Sequence, residues 1–346
     1  MKAAFLVATQ NYEVREVTDP IAPPDGLILQ VKACGVCGSD LRRWREGPPT
    51  NSEPLIGGHE ISGFVIGIGN QVHDFRIGDR LAIAPDVHCG KCYYCQRGMY
   101  NLCDQLQLIG ISLGFHGGFA EKMVVTGTMI RNGIVHHLPL ELSFMEGALA
   151  EPSSSVLACH SMTNTSLQDT VVVMGAGPIG CLHVSVAKSR GARVLLSEPN
   201  PIRRNMAERF NPDLIIDPTS QDLDAITREY TNEVGADIVI CANPIAATHQ
   251  QAVELVRKRG KVVLFGGLPK ADPMTCVDAN RVHYGEVQIS GSFSYHPIFH
   301  QIALEVIKRK NIVAEKVITH QLPLDEINSA FHTAVSGEAL KVIVSI

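Results

Sequence analysis

Two hydrophobic patterns divide the chain. From the N-terminus, short runs alternate apolar and polar positions in the manner of half-buried strands: Lys2–Val7, Glu13–Val17, Leu27–Ala33, Ile61–Ile68 and Arg80–Ala84. Turn residues punctuate them, among them Pro23-Pro24-Asp25-Gly26 and Gly78-Asp79. Strands this short and closely spaced predict a small antiparallel barrel. The stretch Ser143–Ser161 predicts a helix. At Thr170 the pattern changes to continuous apolar strands alternating with amphipathic helices: Thr170–Met174, a helix to Arg190, Arg193–Glu198, Leu214–Ile216, Ala236–Cys241, a helix over Ala246–Arg257, Lys261–Gly267 and Gln288–Phe293. That alternation predicts a parallel sheet covered by helices. The last segment (helix Pro297–Lys310, strand Glu315–Thr319, helix Leu324–Ser336, strand Lys341–Ser345) reads as a return to the first domain.

The length of 346 residues suits two domains, and 45% hydrophobic with 19% charged residues excludes a disordered chain. A net charge of -5 with both signs interspersed gives no footing for nucleic acid. No apolar run reaches membrane-spanning length, and the N-terminus lacks a signal peptide's pattern. A cytoplasmic enzyme with reduced thiols is the expectation, so ten cysteines call for metal or burial before disulfides.

Chemistry-bearing residues then stand out. Cys89, Cys92, Cys95 and Cys103 can close tetrahedrally on one structural zinc ion. An iron–sulfur spacing would continue with a further Cys-Pro that is absent. Cys37, the pair His59-Glu60 and Glu151 offer the side-chain types that bind a catalytic zinc with one position open. Read singly, His59-Glu60 is a structural pair and Glu151 a first-turn helix acid. The run Gly175-Ala-Gly177-Pro178-Ile179-Gly180 follows a strand, opens a helix and precedes a strand ending in Glu198, which is the full context of a dinucleotide site. Glu198 can take ribose hydroxyls and would repel a 2′-phosphate, which favours NAD, whereas Arg203 and Arg204 would attract one.

Gly58-His59-Glu60 with Gly63, Gly69 and Val72 resembles the signature of the zinc-containing alcohol dehydrogenases, in the medium-chain dehydrogenase/reductase superfamily. The likeness extends to Gly35-Val-Cys37-Gly-Ser39-Asp40, the four-cysteine lobe, His116-Gly-Gly-Phe-Ala-Glu121 and Ala150-Glu151-Pro152. It implies an α/β protein with a GroES-like β-barrel catalytic domain over residues 1–152 and 294–346, carrying a zinc lobe at 86–104. A Rossmann cofactor domain would occupy residues 153–293. Glu151 at the third ligand position resembles the sorbitol, xylitol and threonine dehydrogenase branch. The resemblance further implies two zinc ions per chain and NAD as cofactors. Catalytic zinc would sit on Cys37, His59 and Glu151, with Glu60 ligating in some members and standing off in others. Asp40 would orient His59 from behind, and Ser39 would take the substrate proton. The reaction implied is hydride transfer from a secondary alcohol of a polyol, sugar or sugar phosphate, in a dimer or tetramer. An L-threonine 3-dehydrogenase is the runner-up, and a zinc-binding but non-catalytic relative the alternative from outside catalysis.

Three departures matter. Arg42 replaces the histidine that relays protons in many relatives. Arg43 stands where sorbitol dehydrogenases are aromatic, as a phosphate-facing or merely solvated arginine. Ser294, in Gly291-Ser-Phe-Ser294-Tyr295, stands where they carry a substrate-binding arginine. Arg43, Trp44, Phe115 and Phe293 are the expected substrate-facing side chains.

Overall fold

The computed structural model describes residues 1–48 and 55–346. The chain divides into two compact units, Met1–Ser154 with Ser294–Ile346, and Ser155–Phe293.

In the first unit the long strand Leu27–Gly35 is the hub. It pairs antiparallel with Glu60–Ile68 and Lys122–Val125 on its way along the chain, and with the C-terminal strand Lys341–Ser345. Arg80–Ala84 and Ile134–His137 extend the sheet beyond Glu60–Ile68, and Ile318–Pro323 extends it beyond Lys341–Ser345. The alternation of the sequence becomes a single apolar interior: Leu27, Leu29, Val31, Ile61, Val65, Leu81 and Ile83 meet Phe119 and Phe331 there. Because the C-terminal strand is hydrogen-bonded to the centre of this sheet, residues 294–346 belong to the same core as the N-terminal half.

Two local structures differ from the sequence reading. A helix, Gly38–Glu46, follows the hub strand directly, with acidic Asp40 in its first turn and Arg43 and Arg45 in its last, as the helix dipole favours. Near the C-terminus, Ala314–Val317 forms one helical turn, and the strand begins only at Ile318. Val317, Ile318 and Thr319 read as β-formers, but Ala-Glu-Lys just before them are helix-formers and take the turn.

The second unit is a six-stranded parallel sheet. Its strands lie in the order Leu214–Ile216, Arg193–Ser197, Thr170–Met174, Ala236–Cys241, Val256–Leu264, Gln288–Gly291, which is the 3-2-1-4-5-6 order of a Rossmann fold. Thr170–Met174 is buried along its whole length and Arg193–Ser197 from Val194 onward, which explains why Val171-Val-Val173 and Val194-Leu-Leu196 run apolar without alternation. The first strand feeds the helix Pro178–Ser189 through the glycine-rich turn. A short helix that the sequence reading left out, Ala279–Gly285, starts at Asp278, whose carboxylate accepts from the N–H groups of Asn280 and Arg281. Among the described residues no helix is long and apolar enough to cross a membrane.

Candidate active site

The hub strand ends at Gly35, and two residues later Cys37 caps the helix Gly38–Glu46. The Cys37 N–H donates to Asp40 Oδ2 at 3.0 Å, so one carboxylate fixes the turn that presents the thiol. The other oxygen of Asp40 lies 3.6 Å from His59 Nδ1, an electrostatic contact too long for a hydrogen bond. His59 Nε2 faces the opposite way, 3.4 Å from Ser39 Oγ. Burial opposes a charge on His59, but Asp40 and the Cys37 sulfur push its pKa well above 6.5. Donor atoms of Cys37, His59 and Glu60 all lie within 4.8 Å of one another.

Glu60 is fully buried at the start of its strand, opposite Gly35. Only glycine fits there: a Cβ on residue 35 would lie 1.8 Å from Glu60 Oε2. The carboxylate is clamped by Lys341, whose Nζ donates to Oε1 at 2.7 Å, to Oε2 at 2.9 Å and to the Val36 carbonyl at 3.1 Å. All three ammonium protons are therefore used inside the protein.

Glu151 lies on the helix Phe144–Thr163 and is not one of the three mutually close donors. Its Oε1 accepts from the Tyr295 hydroxyl at 3.2 Å. Burial raises its pKa to about 7, with Glu60 and Asp86 acting in the same sense and His59 and Lys341 against it. Asp86, at the end of the strand region preceding the cysteine lobe, is 5% exposed and accepts from Ser294 Oγ at 2.5 Å.

The four lobe sulfurs of Cys89, Cys92, Cys95 and Cys103 also lie within 4.8 Å of one another, with 4.0 Å between Cys89 and Cys95. Tetrahedral Zn–S bonds of about 2.3 Å set sulfurs about 3.8 Å apart, so the cage has the size of that ion. The N–H groups of Cys89 and Gln105 donate to Cys103 Sγ at 3.2 and 3.3 Å. Those of Cys95 and Asp104 lower the Cys92 pKa to about 6, which favours the thiolate a metal needs.

In the second unit, Gly177 precedes a helix whose first residues are Pro178 and Ile179. A Cβ on Gly180 would lie 1.8 Å from the Gly175 carbonyl, so the tight turn requires glycine there. Glu198, 4% exposed, accepts from the N–H of Ala176 at 2.7 Å and of Asn200 at 2.9 Å, which ties the turn to the end of the next strand. Arg204 is engaged with the Glu198 and Pro199 carbonyls and with Asp217. Arg203 has a buried Nε with no hydrogen-bond partner among the described residues.

Known proteins carry the same organisation. Residues 23–134 match the alcohol dehydrogenase GroES-like domain, and residues 178–309 match the zinc-binding dehydrogenase domain. A sorbitol dehydrogenase of Halalkalibacterium halodurans is 33% identical over 100% of this chain and 99% of its own length. A D-arabitol-phosphate dehydrogenase of Enterococcus avium is 29% identical, covering 95% of this chain and 92% of that protein. The chain belongs to the zinc-containing alcohol dehydrogenases, in their polyol branch. A chain from Sinorhizobium meliloti solved with NADP bound is 32% identical, with a TM-score of 0.90 over 100% of this chain and 99% of that one.

As a zinc alcohol dehydrogenase, the chain has a donor set whose chemistry fits the metal. Cys37, Asp40, Glu60, Glu151 and Asp86 gather acidic groups in or beside a buried site, and Lys341 pairs with Glu60 alone. A divalent cation would favour their ionised forms against burial, and sulfur, imidazole and carboxylate are zinc's own ligand types.

The expected substrate-facing residues fare differently. Trp44 is 2% exposed and packs against Phe331 and His332, so it is a core residue and not a pocket wall. It sits on the buried face of the helix that Cys37 caps, four positions from Asp40 on that same face. Arg43 is turned toward a loop, with Nη1 3.4 Å from the Gly110 carbonyl and 3.3 Å from that of Ile111. Phe115 is half-buried against the first unit's core, and Phe293, the last residue of the second unit, is exposed. Lys341, Asp86 and Tyr295 escaped the sequence reading. The signal for Lys341 was a lone lysine heading the apolar run Val342–Val344, and for Asp86 an acid shortly after the apolar run Leu81–Ala84.

Proposed function

We propose that the protein oxidises a secondary hydroxyl of a polyol or sugar, with catalytic zinc on Cys37, His59 and Glu151 and with NAD on the Rossmann unit. The observation that carries this reading is the convergence of Cys37 and His59 beside the Ser39 hydroxyl, with Asp40 braced behind both. Zinc at this place supplies a Lewis acid that lowers the pKa of an alcohol, and NAD supplies the hydride acceptor. The remaining work falls to the chain. Asp40 holds the helix start and the imidazole in one arrangement, so Cys37 and His59 are set in place before a metal is bound. Ser39 Oγ, next to His59 Nε2, is placed to receive the alcohol proton.

The proton's exit differs from a histidine relay. Arg42 is exposed and cannot accept a proton. Glu60 has both oxygens committed to Lys341, which argues against it as the carrier. That leaves Ser39 as the first acceptor of the proton on this chain. For the same reason Glu60 is assigned a supporting role: it places a neutralised carboxylate beside the metal, and Glu151 supplies the charged one.

NAD is favoured by Glu198. Each of its oxygens holds one backbone N–H and keeps a second lone pair for a ribose hydroxyl, while its charge opposes a 2′-phosphate. The test is a screen of polyols, polyol phosphates and L-threonine with NAD and NADP, followed by the absorbance of the reduced nicotinamide. Oxidation of polyols with NAD preferred is expected, and Glu198→Ala should shift that preference toward NADP by about 10-fold or more, the worth of one charge-assisted contact. Faster turnover of the wild type with NADP would overturn the cofactor assignment. Oxidation of L-threonine alone would overturn the substrate class.

A further inference from the structure

We propose that Asp86 selects the substrate: its carboxylate accepts a hydrogen bond from a hydroxyl of an uncharged polyol and turns away phosphorylated and carboxylated sugars. This rests on the dehydrogenase reading above and narrows it.

Asp86 is a nearly buried acid with one oxygen held by the protein. Asp86 is 5% exposed, and Ser294 Oγ is its one hydrogen-bond donor among the described residues. No lysine or arginine pairs with it among those residues. A carboxylate with a single protein donor keeps acceptor capacity for a ligand that brings an O–H or N–H.

The position follows from the chain. Ser294 and Tyr295 are consecutive: one hydroxyl holds Asp86 at 2.5 Å, the other reaches Glu151 at 3.2 Å. Asp86 is thereby fastened to the same short segment that touches the proposed zinc ligand. Ser294 adopts a left-handed backbone, φ 49°, uncommon for a residue with a side chain, so the loop is held where these two contacts are made together. The charge of Asp86 is felt at both Glu151 and Tyr295, and His59 is the basic group that faces it.

Charge then decides the ligand class. Lys341 is spent on Glu60, and no lysine or arginine pairs with Asp86 among the described residues, so a further anion next to Asp86 meets a repulsion that neither of those side-chain types offsets. A hydroxyl donating to a carboxylate forms a charge-assisted bond and carries no such cost. At Ser294 this chain has a neutral hydroxyl turned onto an acid. The substrate group it receives is a donor, not an anion.

Asp86→Asn separates charge from shape, because the amide oxygen still accepts from Ser294. Kinetics would be measured with a neutral pentitol and hexitol and with their terminal phosphate esters. Zinc content and direct polyol binding by calorimetry would be measured beside them. Wild type is expected to prefer the neutral polyol. Asp86→Asn should raise its KM and dissociation constant by about 10- to 100-fold, lower kcat little, and erase most of the preference over the phosphate, with zinc content unchanged. Ser294→Ala, which removes the loop contact and keeps the charge, should retain discrimination against the phosphate. Unchanged KM and preference in Asp86→Asn would overturn the assignment, as would an equal loss of discrimination in Ser294→Ala, the mark of a purely structural role. Wild type that oxidises only the phosphate esters would overturn the role of Asp86 and leave the dehydrogenase reading standing. Wild type that is zinc-loaded yet inert toward every polyol and ester would overturn both.

Discussion

Lys341→Met is expected to destabilise the protein by about 3–5 kcal/mol, the cost of leaving a buried charge without its partner. Both members of the pair are out of solvent: Glu60 is 0% and Lys341 3% exposed. Lys341 serves both carboxylate oxygens and the Val36 carbonyl, and Val36 lies one residue from Cys37. Losing it strips three acceptors at once and leaves Glu60 to find its positive charge elsewhere, with the metal position the nearest source. The double variant Glu60→Gln/Lys341→Met should recover most of the loss, because a buried ion pair replaced as a unit by neutral groups is often close to neutral in stability. Denaturant unfolding of wild type, Glu60→Gln, Lys341→Met and the double variant closes the cycle. A single variant as stable as wild type would mean that the pair is not buried as described.

The second large effect concerns activity. His59→Ala and Cys37→Ser should each lower polyol oxidation by about 10³-fold or more, since a Lewis acid contributes several kcal/mol to the barrier. These side chains carry little of the fold. Cys37 sits at a helix start whose turn is held by its backbone N–H, which the serine keeps. His59 makes no hydrogen bond shorter than 3.4 Å to a protein group. Thermal stability of the metal-free variants should therefore stay near that of the metal-free wild type. A His59→Ala enzyme that retains wild-type turnover would remove the imidazole from the mechanism.

How much of this could be read from residues alone depended on range. The cysteine lobe was legible because its four ligands lie within 15 consecutive positions, Cys89 to Cys103, and local spacing limits where they can go. The Rossmann unit was legible because buried parallel strands leave continuous apolar runs and the glycine turn has its own signature. The Glu60–Lys341 clamp spans 281 positions and exists only because the C-terminal strand joins the sheet beside Leu27–Gly35. No local pattern carries that pairing. Asp86 and Tyr295 were hidden for the same reason: each is unremarkable in its own segment, and the 208 positions between Asp86 and Ser294 close only in the fold. Trp44 misled for the opposite reason. It was expected to face substrate, whereas it lies on the buried face of a helix whose Arg42, Arg43 and Arg45 are the less buried positions around it.

Glu151 lies between these cases. Its residue type and its Ala-Glu-Pro setting marked it, and the fold brings it beside Tyr295 and under the influence of His59, Glu60 and Asp86. Glu60, next to His59 in sequence, is the carboxylate inside the compact donor set, but it is already neutralised by Lys341. Proximity along the chain and availability to a metal are thus separate properties of the two acids, and the ion pair distinguishes them.

Zinc per chain, determined on purified wild type, Cys37→Ser and His59→Ala, tests the central claim most directly. Two zinc ions in the wild type and one in each variant are predicted, the remaining ion being that of the four-cysteine lobe. One zinc in all three proteins, with activity undiminished in the variants, would contradict a catalytic zinc at Cys37 and His59.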